Sequence, residues 1–486
     1  MSSIMFQGTG SNVGKSVLVA GLCRVAKRRG ILVAPFKPQN MSNNAAVTIN
    51  NGEIGRSQAF QSFASGIDPI SDMNPILLKP ESDSKTQVIV NGSIYKTINS
   101  YEYSNLKKEL LNPVLQSFNR LKKKYDLILV EGAGSPAEIN LRKNDIANMG
   151  FATAAKVPVI LIGDIERGGV IAQILGTKII LPKKDLNQIV GFVVNKFRGN
   201  SDLFIDGYKY IQQNTSWKGL GVLPWFENHR NFPPEDSYEI KSIQRPKSLK
   251  IVCLCLPRIA NYDDLDPLTQ EKNISLIMLK AGEAIPGDAR LVIIPGSKST
   301  IEDLNFIKSQ KWDIDIKAHY NRGNYILGIC AGYQMLGKLI DNSLGKEGNP
   351  SIEKGLDLLD VNTVLSSTKT LKRIVANEFK TGISFEGYEI HIGKTEGNDC
   401  NNPFAKVKDK KDGAVSDDGL VMGSYLHGMF VNNKFRSMFL NKIGLKSSNL
   451  DYKKEVNKSL DDFADLIEDN INAVSYTHLR AHETLL

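Results

Sequence analysis

Short apolar runs, each bounded by polar or glycine-rich sequence, recur through roughly the first 225 residues: Ile4–Gln7, Leu32–Pro35, Leu127–Val130, Val159–Ile162 and Ile189–Val194. Runs of this length without polar alternation predict strands buried on both faces, and helix-like stretches such as Val17–Arg28 between them predict covering helices. The alternation therefore predicts an α/β fold with a mostly parallel sheet. Arg230–Lys250 breaks the pattern with polar, Pro-containing sequence and reads as a linker. A second alternating series begins at Ile251–Leu256 and continues through Leu291–Ile294 and Tyr325–Ile329. The expected division is 1–229, a linker at 230–250, a second domain at 251–445, and a C-terminal extension at 446–486. Within 474–486 no period carries through, and the stretch is set aside as a frayed terminus or a sequence artefact.

Bulk properties narrow the class. A chain of 486 residues allows two or three domains, and 41% hydrophobic with 23% charged residues is ordinary for a globular protein. No apolar run reaches the ~18–20 residues of a membrane helix, and the N-terminus carries no secretion signal, so a cytoplasmic protein without membrane partners is expected. The five cysteines are too few and too scattered for a disulfide framework or a zinc site; Cys253 and Cys255 are expected to be buried, inert thiols. A net charge of +9 suits an anionic small-molecule partner or simply reflects solvated lysines. The short clusters Lys27–Arg29 and Lys122–Lys124 are too sparse for nucleic acid binding.

Two segments carry chemistry. Gly8-Thr9-Gly10-Ser11-Asn12-Val13-Gly14-Lys15-Ser16 lies between a predicted strand and a predicted helix. Glycines there let backbone N–H groups face phosphate, Lys15 adds charge, and Ser16 suits Mg²⁺; the loop is one residue longer than the usual spacing counted from Gly8. Glu131 ends the strand Leu127–Val130 at the edge where such loops sit, and a Mg²⁺-directed role fits it. Lys37, after the second strand, is a candidate for neutralising phosphate or a substrate carboxylate.

The second segment is Gly328-Ile329-Cys330-Ala331-Gly332, a strand followed by a G-x-C-x-G turn and a helix start. Small residues two positions either side permit a tight elbow that exposes Cys330, and the N–H groups that follow stabilise a thiolate or an oxyanion. A thiolate nucleophile forms a thioester with a glutamine side chain. His427, in Ser424-Tyr425-Leu426-His427-Gly428, is the candidate base. The backbone N–H groups of Ala331 and of Gly296, after the strand Leu291–Ile294, are candidate oxyanion donors.

With both halves in view, residues from Phe6 to about Phe430 resemble the cobyric acid synthase family of cobalamin biosynthesis. The resemblance rests on Pro35-Phe36-Lys37-Pro38-Gln39-Asn40-Met41, Gly52-Glu53-Ile54-Gly55-Arg56-Ser57-Gln58, Asp72–Pro80, Asp164–Gly169, Asn195-Lys196-Phe197-Arg198-Gly199 and Gly387–Gly393. It implies a dethiobiotin-synthetase-like phosphate-loop domain followed by a flavodoxin-like glutamine amidotransferase domain. It also implies ATP- and Mg²⁺-dependent amidation of four peripheral carboxylates (b, d, e and g) of adenosylcobyrinic acid a,c-diamide, with L-glutamine as nitrogen source. By motif, Lys15, Ser16, Lys37, Glu53 and Glu131 would carry phosphate, Mg²⁺ and carboxylate chemistry, with Ser16, Glu53 and Glu131 on the metal. A homo-oligomer stays open.

Two positions depart from the pattern. Related glutaminases commonly place an acid two residues after the histidine, where this chain has Met429, so the third member of the triad is open, with Glu389 a weak candidate. Ala331 stands where glycine is expected, but its N–H is retained. Rival readings are the sister enzyme that makes the a,c-diamide, a partitioning ATPase and a corrinoid-binding regulator with a degenerate glutaminase. Against the second, Gly8–Gly14 has no early lysine; against the third, Cys330 and His427 are both present.

Overall fold

Leu127-Ile128-Leu129-Val130-Glu131 is buried at every position, as a strand covered on both faces must be. It lies in a six-stranded sheet ordered Lys218–Pro224, Ile189–Phe197, Val159–Asp164, Ser2–Gly8, Leu127–Glu131 and Val33–Phe36, with every neighbouring pair parallel. All five runs singled out in this half are strands, and the predicted helix is Lys15–Arg28. The computed structural model describes residues 2–81, 85–233, 242–246 and 248–471. Part of the expected linker (234–241 and 247) and the whole of 474–486 lie outside the described residues.

The chain forms two compact units, and they are not contiguous in sequence. The first comprises Met1–Ser42, Thr48–Pro233 and Glu455–Leu486; the second comprises Asn43–Val47 and Pro234–Lys454. The helix Tyr452–Asn470, in the expected C-terminal extension, belongs mostly to the first unit. It lies against Lys15–Arg28, where Gly21 has no side chain to hold it off: a Cβ there would come within 2.6 Å of Phe463 and press on Ile467. Arg28 and Arg29 pair with Asp465 and Glu468, each at 2.6 Å. Arg24 donates to Asn457 Oδ1 at 2.6 Å. This unit also carries a smaller sheet, Gln39–Met41, Ile76–Pro80, Lys85–Val90 and Ser93–Asn99, which the apolar runs did not announce.

The second unit has its own sheet, ordered Ile274–Leu279, Leu249–Leu254, Ala289–Ile294, Tyr325–Ile329, Val421–Ser424 and Ala414–Val415. The first five strands are parallel and the last is antiparallel. A long antiparallel hairpin, Val361–Glu378 with Ser384–Gly397, stands beside it. Leu426–His427 adds to the hairpin's second strand and sets His427 opposite Tyr388.

Candidate active site

In the first unit the strand Ser2–Gly8 ends at the phosphate loop, and the loop's backbone requires glycine at two points. A Cβ on Gly8 would lie 2.6 Å from Val13 and 2.8 Å from the Gly10 carbonyl oxygen. Gly14 sits at φ 90°, with Asn195 Nδ2 2.5 Å from where its Cβ would be. The motif segments at the ends of neighbouring strands brace the loop. Asn195 Nδ2 donates to Val13 O at 2.9 Å, and Lys196 Nζ donates to Asn12 O at 2.5 Å while pairing with Asp164 at 2.9 Å. Thr9 Oγ1 donates to Gln173 Oε1 at 2.9 Å. Lys15 Nζ, the loop's cation, donates to the carbonyls of Gly10 and Gly134 at 3.0 and 3.2 Å.

Glu131 is the hub of this site. Its Oε1 accepts from Ser16 Oγ at 2.7 Å and Lys37 Nζ at 2.8 Å; its Oε2 accepts from Gln61 Nε2 at 2.6 Å and Gln58 Nε2 at 3.3 Å. A fully buried carboxylate needs such partners to offset lost hydration. Gln58 and Gln61 are three apart on the helix Arg56–Ser65 and so share a face. Sequence reading had singled out Ser16, Lys37 and Glu131 separately; it missed both glutamines as their supports. Glu53, expected on the metal with Ser16 and Glu131, is ion-paired with Lys79 at 2.5 Å, both side chains buried. Among the described residues no three His, Cys, Asp or Glu side chains gather into a metal cluster. The Ser16 hydroxyl and Glu131 carboxylate do offer the hard oxygen donors that suit Mg²⁺ bound chiefly through phosphate.

In the second unit the G-x-C-x-G turn makes a tight elbow. A Cβ on Gly328 would lie 2.6 Å from the carbonyl of Gly332, and one on Gly332 would collide with the Ile294 carbonyl. Cys330 adopts φ 55°, ψ −110°, a conformation that non-glycine residues rarely hold. Its N–H donates to Ser424 O at 2.8 Å, anchoring the elbow, and its Sγ lies 3.3 Å from Ile390 O. Ala331 opens the short helix Ala331–Leu336. Gly296 lies beside both reacting groups: a Cβ there would be 3.3 Å from His427 Cε1 and 3.8 Å from Cys330 Cβ.

His427 is fully buried and held from one side. Its Nδ1 is 2.7 Å from Asp264 Oδ2, and Asp264 Oδ1 accepts the Gly428 N–H at 2.5 Å. Nε2 makes no hydrogen bond of ordinary geometry. Burial works against the imidazolium, but the charge and hydrogen bond of Asp264, and then the Cys330 thiol, outweigh it and push His427 up to about 10. The acid behind the histidine is thus Asp264, in the buried turn Tyr262–Leu265, and not Glu389. Glu389 pairs with Lys372 at 3.0 Å, and its backbone lies opposite Leu426. A buried thiol on a strained elbow, an acid-oriented imidazole and adjacent N–H groups form the equipment of nucleophilic acyl transfer.

A family model described as the CobQ/CobB/MinD/ParA nucleotide binding domain matches residues 4–237. A second, described as the CobB/CobQ-like glutamine amidotransferase domain, matches residues 250–435. Together these define an ATP-dependent, glutamine-hydrolysing amide ligase. The cobyric acid synthase of Jannaschia sp. (strain CCS1) is 55% identical over 466 residues, covering 96% of this chain and 97% of its own. That of Bradyrhizobium diazoefficiens is 54% identical over 470 residues, covering 97% and 98%. The chain belongs to the cobyric acid synthase family. Among solved structures, a glutamine amidotransferase aligns with 40% of this chain and 99% of its own at 16% identity and a TM-score of 0.32, too low to enter the argument. Among the described residues no helix is long and apolar enough to cross a membrane.

Proposed function

We propose that this chain amidates the b, d, e and g carboxylates of adenosylcobyrinic acid a,c-diamide, giving adenosylcobyric acid. The acceptor rests on the resemblance of the motif segments and on the name carried by the near-full-length relatives. The observation that carries the mechanism is the convergence of Asp264, His427 and Cys330 at a strained elbow, in the same chain as the Lys15 phosphate loop.

In this reading Asp264 fixes His427 with Nε2 free to take the thiol proton of Cys330. The thiolate attacks the glutamine side-chain amide, and the tetrahedral oxyanion is met by the N–H groups of Ala331 and Gly296. His427 returns its proton to the leaving ammonia, and water releases glutamate from the thioester. A bare carboxylate is a poor electrophile, so the acceptor is first phosphorylated by ATP and the acyl phosphate is then displaced by ammonia. Lys15 and the loop N–H groups hold the phosphates; Lys37 offsets charge where phosphate and acceptor carboxylate meet. Ser16 and Glu131 would hold Mg²⁺, which supplies further neutralisation of the phosphates when bound. Glu53 is assigned to holding Lys79 rather than to the metal.

Separating the two nitrogen sources tests this division of labour. Cys330→Ala is expected to abolish amidation driven by glutamine and to leave amidation driven by added ammonium intact. Loss of both in a folded variant would overturn it. Lys15→Ala should do the reverse, abolishing amidation from either source while glutamate release from glutamine continues.

A further inference from the structure

Two acids in succession, Asp263 and Asp264, lie in the buried turn Tyr262–Leu265 and are 2% and 3% exposed. Asp264 takes the edge of His427, while Asp263 Oδ1 accepts the Tyr388 hydroxyl at 2.8 Å. Tyr388 does not point away from the site. Its ring lies flat on His427, with centroids 5.0 Å apart and planes within 11°. The register of Ser384–Gly397 against Leu426–His427 sets the two residues opposite one another, so the stack is built into the sheet.

From this geometry we infer that Tyr388, tethered by Asp263, is a positioning residue for the glutaminase reaction: it clamps the face of His427 and steadies the imidazolium formed when Cys330 loses its proton. A cation against an aromatic face is attracted by the ring's electron density, more so where water is excluded. A hydroxyl donating to a carboxylate makes that ring more electron-rich. The turn thus grips the imidazole twice, in its plane and over its face, leaving rotation about the ring axis blocked and Nε2 aimed to one side. The inference rests on the roles proposed for Cys330 and His427.

The charged and titratable groups facing His427 are Asp264 from the turn, Cys330 from the elbow, Tyr388 with Asp263 behind it, and His391 from the same strand as Tyr388. His391 is held down to about 4, by burial first and then by the charge of His427, so it stays neutral and does not compete for the proton.

The test is the pH profile of glutamine hydrolysis by the full chain, together with the absorbance of the Cys330 thiolate at 240 nm, read against Cys330→Ala. Tyr388→Leu removes the ring and is expected to lower the alkaline limb by roughly 0.5–1 pH unit, with kcat down about tenfold and KM for glutamine within about twofold. Tyr388→Phe keeps the ring and is expected to retain the limb and most of kcat. A folded Tyr388→Leu variant with an unmoved limb would overturn the clamp, as would Tyr388→Phe shifting as far as Tyr388→Leu. Should Tyr388→Leu fail to fold, Tyr388→Met, which also removes the ring, decides: a downward shift of the same size supports the clamp and none overturns it. Glutamine hydrolysis surviving in Cys330→Ala would instead overturn the site reading beneath it.

Discussion

At Glu131 one carboxylate answers four donors, and at Asp264 one carboxylate answers two, and both residues owe their place to distant sequence. Glu131 was legible because it ends an apolar strand beside a glycine-rich loop, a pattern local to each segment. Asp264 was not legible. It precedes His427 by 163 residues, and the local rule pointed two residues past the histidine, to Met429. Only the fold brings the turn Tyr262–Leu265 to His427. Asp264→Asn keeps the shape but removes the charge that holds the imidazole, and glutaminase kcat should fall by at least about 10²-fold. Ammonium-driven amidation should be unaffected.

Asp412, partly buried and accepting a hydrogen bond from Ser424 Oγ, makes a residue-scale prediction of another kind. Burial raises it from 3.8 to about 7, against the opposing hydrogen bond from Ser424. Between those pH values the folded protein keeps a proton that the unfolded chain has released. Its contribution to stability is therefore full below about 3.8 and declines as pH rises through about 7. Asp412→Asn should flatten the fall in Tm between pH 4 and 7, checked by thermal unfolding across that range; an unchanged slope would show that Asp412 is not titrating there.

At the scale of elements, the parallel strands were the most readable part, since an unbroken apolar run has few other uses. The loop and elbow were readable because glycine spacing reports backbone geometry directly. The hairpin Val361–Glu378 with Ser384–Gly397 was not, because the polar run Ser366–Thr370 interrupts the first strand and neither strand is an unbroken apolar run. The helix Tyr452–Asn470 has an apolar stripe that predicts burial but not against what. Its partner is Lys15–Arg28, through Gly21, Phe463 and Ile467. Gly21→Val would force those side chains apart, and overpacking of this kind costs about 1–3 kcal/mol. Lower Tm and earlier proteolysis within 452–470 are expected, while glutaminase activity is retained.

At the scale of the whole molecule, an ATP-binding unit and a glutaminase unit in one chain make sense only if each supplies what the other lacks. In the proposed mechanism one activates a carboxylate, and the other releases a nitrogen nucleophile. Partitioning ATPases share the phosphate loop but have no use for an acid-held histidine beside a cysteine elbow, so the second unit decides between the readings. The proposed acceptor rests on the motif segments and the relatives' names; no single strand or helix reports it. The deciding measurement is therefore product mass after incubating the protein with adenosylcobyrinic acid a,c-diamide, ATP, Mg²⁺ and glutamine. Four successive exchanges of OH for NH₂, each dependent on ATP, are the predicted result. Intact glutamine hydrolysis with no change in corrinoid mass would contradict the assignment and move the acceptor to another carboxylate.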